Sequence, residues 1–307
     1  MLFRSALGLG TLASAMIAIA VTRRGLRPLQ QMTQSLERIG PAHLDERVSK
    51  TTWPRELQPV ATAFDEMLAR LENSFTKLSQ FSADLAHELR TPISNIRGEA
   101  EVTLTRPRTL EDYRSVVEST AAECERLSGI VDNLLFLARA EAVDRQIERT
   151  VFAARPAIEK IAAYYRTIAE ERGISITNKG DGEVYADALL FDRALSNLLD
   201  NALRFTPNGG KITIATETKP KCIELAVEDT GCGIHPHHLP HLFDRFYRVD
   251  SSRSSQGAGL GLALVKSITD LHGGSVAMAS EVDRGTTVTL TFPAKERSTS
   301  QNELHAI

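Results

Sequence analysis

Between Phe75 and Ala138 the apolar residues recur at every third or fourth position, and the recurrence breaks once. Phe75, Leu78, Phe81, Leu85, Leu89, Ile93, Ile96 and Ala100 make one stripe. Leu110, Tyr113, Val117, Thr120, Cys124, Leu127, Val131, Leu134 and Ala138 make a second. That period marks one apolar face on each of two long helices. Arg106-Pro107-Arg108 stops the first, and Thr109 with Asp112 three residues on supplies an N-cap pair for the second. Two antiparallel helices enclose a narrow core, so a dimeric four-helix bundle is the expected way to bury both stripes. Cys124 falls within its stripe and is expected to pack in that core.

With 307 residues and a formal charge of -3, the chain has room for two or three domains. So balanced a charge argues against a protein that coats nucleic acid. Cys124, Cys222 and Cys232 are odd in number and show no CxxC spacing, which speaks against a disulfide framework or a zinc site. From Ser5 to Thr22 there is no charge, and Arg4, Arg23, Arg24 and Arg27 bound the run. Such a run nearly spans a hydrocarbon core of roughly 30 Å. A secretory signal peptide is the rival reading, since ASA and AIA resemble cleavage sites. If the run is an anchor, the arginines after it place the following chain in the cytoplasm.

Residues 23–76 read as two short amphipathic helices joined by a Gly-Pro break and an extended connector, DERVSKTTWP. Both stripes fit helices in a parallel dimeric bundle. After residue 150 the pattern becomes mixed. Strands are expected at 174–177, 182–186, 211–218 and 222–229, with GSVAMAS and GTTVTLTFP closing as a hairpin. Helices are expected at 188–205 and over GLGLALVKSITDLH. Segregated helices and sheet make this an α+β layered domain. The polar tail after Pro293 is expected to be disordered.

Three short motifs carry chemistry. DTGCGI (229–234) places a carboxylate at a strand end, followed by glycines that let backbone approach a ligand. GAGLGL (257–262) opens an apolar helix with three glycines, a natural phosphate cradle. In NLLDNALRFTP (197–207), Asn197 and Asn201 share a helix face at i and i+4, so both side-chain oxygens can address one hard cation. Arg204 continues that face and can reach a phosphate. Asn201, Asp229 and Gly257 are separated by 28 and 28 residues. GIHPHHLPH holds four histidines, and His237 and His241 have metal-ligand spacing. Pro236 and Pro240 interrupt that segment and argue against a metal site.

Taken together, NLLDNALRF, DTGCGI, LFDRFYRVD (242–250) and GAGLGLALV resemble the ATP-binding domain of bacterial two-component sensor histidine kinases. SADLAHELRTPISNI resembles their phosphoacceptor box, and residues 23–76 look like a HAMP linker. The wording of RPLQQM, VATAFDEMLARLE and HLPHLFDRFYRVDSSR is most similar to the heavy-metal (copper/silver) sensor subgroup.

The resemblance implies a multidomain chain. A transmembrane helix (1–22) precedes an all-α HAMP linker (23–76) and a dimerisation and histidine phosphotransfer domain built as a four-helix bundle (77–145). An α+β ATP-binding sandwich of the Bergerat type (146–295) and a disordered tail (296–307) follow. It implies autophosphorylation on His87 from ATP and Mg²⁺, phosphotransfer to a response regulator receiver domain, and phosphatase activity. It also implies a homodimer at the inner membrane with a cytoplasmic catalytic portion, and no nucleic-acid partner. Glu88 matches the acid–base position, and Thr91 the position that orients the hydrolytic water. Asp229 would bind the adenine amino group, with Gly231 and Gly233 shaping its turn. Asn197 and Asn201 would hold Mg²⁺. Arg204 would sit at the phosphates, Phe205 would face the nucleotide, and Arg248 would contact the γ-phosphate. Gly257, Gly259 and Gly261 would hinge the lid and seat phosphates. An ATPase of the gyrase or chaperone type is the rival, but it has no need of residues 81–141. A non-catalytic dimeric scaffold is a second rival, against which stands the full set of nucleotide motifs.

Helical phase gives His87 its orientation independently. It lies nine residues after Leu78, about 180° around a helix, and therefore points away from the apolar stripe. A neutral imidazole offers a nucleophilic ring nitrogen. Pro92 removes the N–H that would bond the Glu88 carbonyl, so a bend beside the acceptor is expected. Met1 stands where the family's second membrane span begins, so the chain is expected to be a fragment, a mis-assigned start or a sensor-less form.

Overall fold

The computed structural model describes residues 46–48, 53–140, 147–249 and 258–295, with Ser14, Met16, Ala18, Thr22 and Thr33 as isolated positions. Apart from those isolated positions, the proposed membrane run and the first amphipathic helix after it lie outside the described residues, as do Gly257 and the tail after Lys295. Among the described residues no helix is long and apolar enough to cross a membrane. The chain divides into two compact units, Met1–Ala86 and His87–Ile307.

In the first unit the connector closes a small core. Val48, Trp53, Ala61 and Leu68 are buried, and Leu57 and Phe64 pack against them. The Trp53 indole N–H donates to the Val48 carbonyl at 2.7 Å, and the Val48 N–H donates to the Asp65 carboxylate at 2.7 Å. These bonds pin the connector against the helix that follows it. That helix, α1, is continuous over 47 residues, Gln58–Leu104. The two helical patterns expected on either side of residue 72 therefore run on without a break. Pro92, expected to bend the chain beside the acceptor, is buried inside α1, and the helix continues past it to Leu104. The physical cost stays local, at the Glu88 carbonyl that loses its donor.

In the second unit α2 (Leu110–Ala140) starts on the expected cap. The Thr109 hydroxyl accepts the Asp112 N–H, and Asp112 accepts the Thr109 N–H, both at 3.1 Å. Hydrogen bonding to the carboxylate by the Thr109 side chain and by the Thr109 N–H holds the Asp112 carboxyl below its ordinary value. Ile130, Phe136 and Leu137 are buried, and Leu89 of α1 packs against the cluster they join. Much of the remaining stripe is open in the single chain: Leu104, Leu110, Val117 and Val131 are exposed. Cys124, expected in the core, is exposed with them. The single chain offers that face no second helix pair, and α2 instead turns Ile130 and Leu137 toward the α+β domain.

That domain is a two-layer sandwich. Its main sheet joins β2 (Ser175–Gly180), β4 (Lys211–Lys219), β5 (Cys222–Asp229), β7 (Gly285–Pro293) and β6 (Ser275–Glu281) in that order. β2 runs parallel to β4, and the other neighbours are antiparallel. A separate antiparallel pair joins β1 (Thr150–Ala153) to β3 (Glu183–Ala186). Three helices, α3 (Ala154–Glu170), α4 (Ala188–Phe205) and α5 (Gly261–Leu271), bring their apolar faces to the same core. From α4, Phe191, Leu195, Leu198 and Leu199 meet Ile212, Ile214, Leu225, Leu290 and Phe292 of the sheet, all nearly solvent-free. Each such side chain contributes about 1.5–3 kcal/mol of burial. The strands and helices expected from the sequence after residue 150 are present with shifts of up to three residues. β1 and α3 were not expected, though Ala154, Ile158, Ile161, Ala162, Tyr165 and Ala169 carry the helical spacing that would have found α3.

Candidate functional site

The site is organised by α4, which is fixed at both ends. At its start Asp187 caps the Leu189 and Leu190 N–H groups at 3.0 and 3.1 Å. At its end Arg172 donates to the carbonyls of Leu203 at 2.6 Å and Thr206 at 2.7 Å, which otherwise lack partners. Held this way, α4 buries one face and turns Asn197, Asn201 and Arg204 toward a cavity. The Asn197 amide N–H donates to the Arg193 carbonyl at 2.8 Å, which leaves its oxygen for other work. That oxygen lies 3.0 Å from where a Cβ would stand on Gly261, and the Asn201 amide lies 3.8 Å from the same point. Two carboxamides therefore face the start of α5, with an oxygen donor suited to a hard cation.

Asp229 ends β5 across from Thr286 of β7. Its carboxylate accepts the Gly231 N–H at 2.8 Å and also bonds the Thr286 backbone. Burial nevertheless pushes its pKa up from the ordinary 3.8, because desolvation outweighs both hydrogen bonds. A Cβ on Gly231 would stand 2.6 Å from Asp229 Oδ1 and 2.6 Å from the Phe205 carbonyl, so the turn requires glycine. Gly233 follows at φ 65° and lines the cavity. Phe205 is half-exposed at the cavity edge.

The third side of the cavity runs from Tyr247 and Arg248 to Ala258, Gly259 and Gly261. The Phe246 N–H donates to the Gly259 carbonyl at 2.9 Å and ties the two ends of that stretch together. Before it, Pro236–His241 form a 3-10 turn that holds the clustered histidines. His235 and His237 approach each other at Nδ1 (2.6 Å), His238 Nδ1 meets the Tyr247 hydroxyl (2.7 Å), and His241 pairs with Asp244 (3.1 Å). Among the described residues no group of three or more His, Cys, Asp or Glu side chains is arranged to hold a metal ion.

The cavity encloses about 1050 Å³, enough for a nucleotide. Asn197, Asn201, Arg204, Phe205, Asp229, Gly233, Arg248, Gly259 and Gly261 all line it, and Gly231 stands behind Asp229. Residues from α2, among them Glu123, Arg126 and Asn133, close the remaining wall; nothing in the local sequence pattern marked them. Asp200 also lines it, unforeseen, and burial raises its pKa. His87, Glu88 and Thr91 are not among the lining residues. His87 is exposed on α1, as its phase requires, and Thr91, also exposed, donates its hydroxyl to the His87 carbonyl at 3.4 Å.

Comparison with known proteins matches all three regions. Residues 186–296 match the "Histidine kinase-, DNA gyrase B-, and HSP90-like ATPase" family. Residues 77–143 match the "His Kinase A (phospho-acceptor) domain", and residues 26–73 match the "Sensor protein PhoQ-like, HAMP domain". The chain is 42% identical over 289 residues to Sensor protein IrlS of Burkholderia pseudomallei, covering 93% of this chain and 62% of that protein. It is 42% identical over 299 residues to Sensor protein CzcS of Cupriavidus metallidurans, covering 95% of this chain and 62% of that protein. The chain thus spans 62% of the length of these two relatives. A solved structure of histidine kinase ThkA in complex with response regulator protein TrrA aligns with a TM-score of 0.60 at 23% identity, covering 73% of this chain and 65% of that one. At that identity the likeness is one of fold.

Proposed function

The chain belongs to the sensor histidine kinase family, and on that premise we propose that it transfers the γ-phosphate of ATP to its own His87. From there the phosphoryl group passes to an aspartate on a response regulator receiver domain. One observation carries the reading most: a single cavity gathers the two asparagines, Asp229, Arg204 and Arg248 from three segments spread over about 50 residues of sequence.

The residues divide the work by position. Asp229 accepts a hydrogen bond from the adenine amino group, and Gly231 and Thr286 orient its oxygens. Asn197 and Asn201 hold Mg²⁺ through side-chain oxygens. The ion supplies charge neutralisation between the phosphates. Arg204 and Arg248 stabilise charge on the terminal phosphate, the larger part of catalysis in phosphoryl transfer. Gly257, Gly259 and Gly261 let the lid backbone approach the phosphates. Phe205 covers the nucleotide at the open edge.

His87 attacks through a neutral ring nitrogen, and Glu88 takes up the proton of the other. Because His87 does not line the cavity, transfer requires the ATP-binding domain to move toward it. Thr91, one turn from His87, orients the water that hydrolyses the phosphoaspartate of the response regulator, releasing inorganic phosphate, in a separate phosphatase reaction. We further propose that the chain acts as a homodimer anchored in the inner membrane through residues 1–22, with its catalytic portion cytoplasmic. The domain bounds proposed are 23–76, 77–145 and 146–295, and the signal proposed is a heavy metal, as in the subgroup its sequence resembles.

The test is incubation of the full chain with labelled ATP and Mg²⁺. Acid-labile, alkali-stable label that disappears in His87→Gln is the expected result. Label persisting in that variant would overturn the assignment.

A further inference from the structure

One wall of the cavity comes from outside the ATPase fold. Glu123, Arg126 and Asn133 reach it from α2, the second helix of the phosphoacceptor region. α2 is held there by a bond from the Arg193 guanidinium to Asn133 Oδ1 at 2.7 Å, and the same guanidinium sits 4.7 Å from the centre of the Phe136 ring. Arg126 is about one-third exposed, and its ion pair with Glu123 is long at 3.5 Å. Glu123 Oε2 is itself buried without a hydrogen-bond partner, so this pair is not a hydrogen bond. A guanidinium carries five donors, and those of Arg126 remain available to the cavity.

Besides Glu123, Arg126 has positive neighbours at the cavity. Arg204 is held below its ordinary guanidinium value first by burial, and then by the charges of Arg248 and Arg126. Asp200 opposes this, but burial shifts that carboxyl toward its neutral form. Three guanidiniums, Arg126 of α2, Arg204 of α4 and Arg248, thus line one cavity, with the other two acting on Arg204. Polyphosphate is the ligand chemistry that relieves such crowding. The chain path adds a second argument. His87 stands 17 residues before the end of α1 at Leu104, and Leu127 stands 17 residues after the start of α2 at Leu110. Arg126 therefore lies close to the level of the phosphoacceptor along the hairpin.

We propose that Arg126 binds the terminal phosphate of the nucleotide, so that ATP holds α2 of the phosphoacceptor domain against the ATP-binding domain. The proposal rests on the ATP reading of the cavity. It makes the phosphate site a composite of two domains, with the third arginine placed at the height of His87.

The experiment is calorimetric titration of the full chain with ATP and with ADP, each with MgCl₂. Arg126→Ala should weaken ATP by about tenfold and ADP by no more than about threefold, because the lost charge faces the terminal phosphate. Arg126→Lys should recover part of the difference. Equal weakening of both nucleotides, or of neither, overturns the proposal. If Arg126→Ala does not fold, Asn133→Ala serves instead: it loosens α2 and keeps every cavity charge, and it should show the same preferential loss of ATP. Asp229→Asn separates the two readings. Unchanged ATP binding in that variant removes the nucleotide site itself, whereas lost binding there with unchanged binding in Arg126→Ala removes only the role of Arg126.

Discussion

The imidazole of His272 accepts the backbone N–H of Asp187 through Nε2 at 2.9 Å, while its Nδ1 donates to the Ile268 carbonyl at 2.7 Å. The ring is buried and bonded at both nitrogens in one neutral tautomer, and it braces the residue that caps α4. Burial lowers its pKa from the ordinary 6.5. The unfolded chain therefore binds this proton more readily than the folded one. The contribution to stability is full above about pH 6.5 and is lost as pH falls through that value toward the lowered one. Thermal melting followed from pH 8 to pH 5 should show this decline. His272→Gln should flatten it and lower stability by about 1–3 kcal/mol at pH 7.5.

Most of the ATP-binding domain is legible in the sequence because its strands alternate cleanly and its turns use glycine where backbone approaches backbone. Gly231 is readable as a close-approach residue from DTGCGI alone, and the structure supplies the Phe205 carbonyl that forces it. His87 is placed by helical phase. What stayed hidden depends on contacts distant in sequence. Arg126 sits in an ordinary helical stretch, and only the packing of α2 on the cavity distinguishes it. Cys124 followed the apolar period yet is exposed, because periodicity reports a face and not what covers it. Pro92 signalled a local disturbance beside His87, and the structure adds that the helix runs on past it to Leu104.

Gly261 stands at the junction of the lid and the asparagine pair. A Cβ there would meet Asn197 Oδ1 at 3.0 Å, tight enough to displace the amide but not to disturb the core. Gly261→Ala should therefore weaken Mg²⁺-dependent ATP binding by about tenfold, near 1.4 kcal/mol, with a melting temperature close to the parent. Calorimetry with and without Mg²⁺ reads the difference. Equal weakening in both conditions would argue against a cation at Asn197.

The raised pKa of Asp229 makes a pH prediction for binding. In the proposed site its ionised carboxylate would accept the hydrogen bond from the adenine amino group, and desolvation extends the neutral form to higher pH than an ordinary carboxyl. ATP affinity should begin to fall on acidification while exposed carboxylates, with pKa near 4, are still charged. Asp229→Asn keeps the shape but exchanges an oxygen acceptor for a donor, and it should abolish ATP binding. Retained affinity in that variant would place adenine elsewhere.

Val117 tests the proposed dimer away from the nucleotide. It lies on the outer stripe of α2 and is 67% exposed, with Leu110 at 86% and Leu104 at 82% on the neighbouring turns and helix end. A run of apolar side chains this open on a single chain is costly in water, and a second helix pair is the natural cover. Val117→Glu would put a charge into the interface of the four-helix bundle, where it would lack a partner. Analytical ultracentrifugation of the detergent-solubilised chain should then show a shift from dimer toward monomer, with ATP binding retained because the cavity is untouched. A variant that remains fully dimeric would mean that the outer stripe of α2 is not the dimer face.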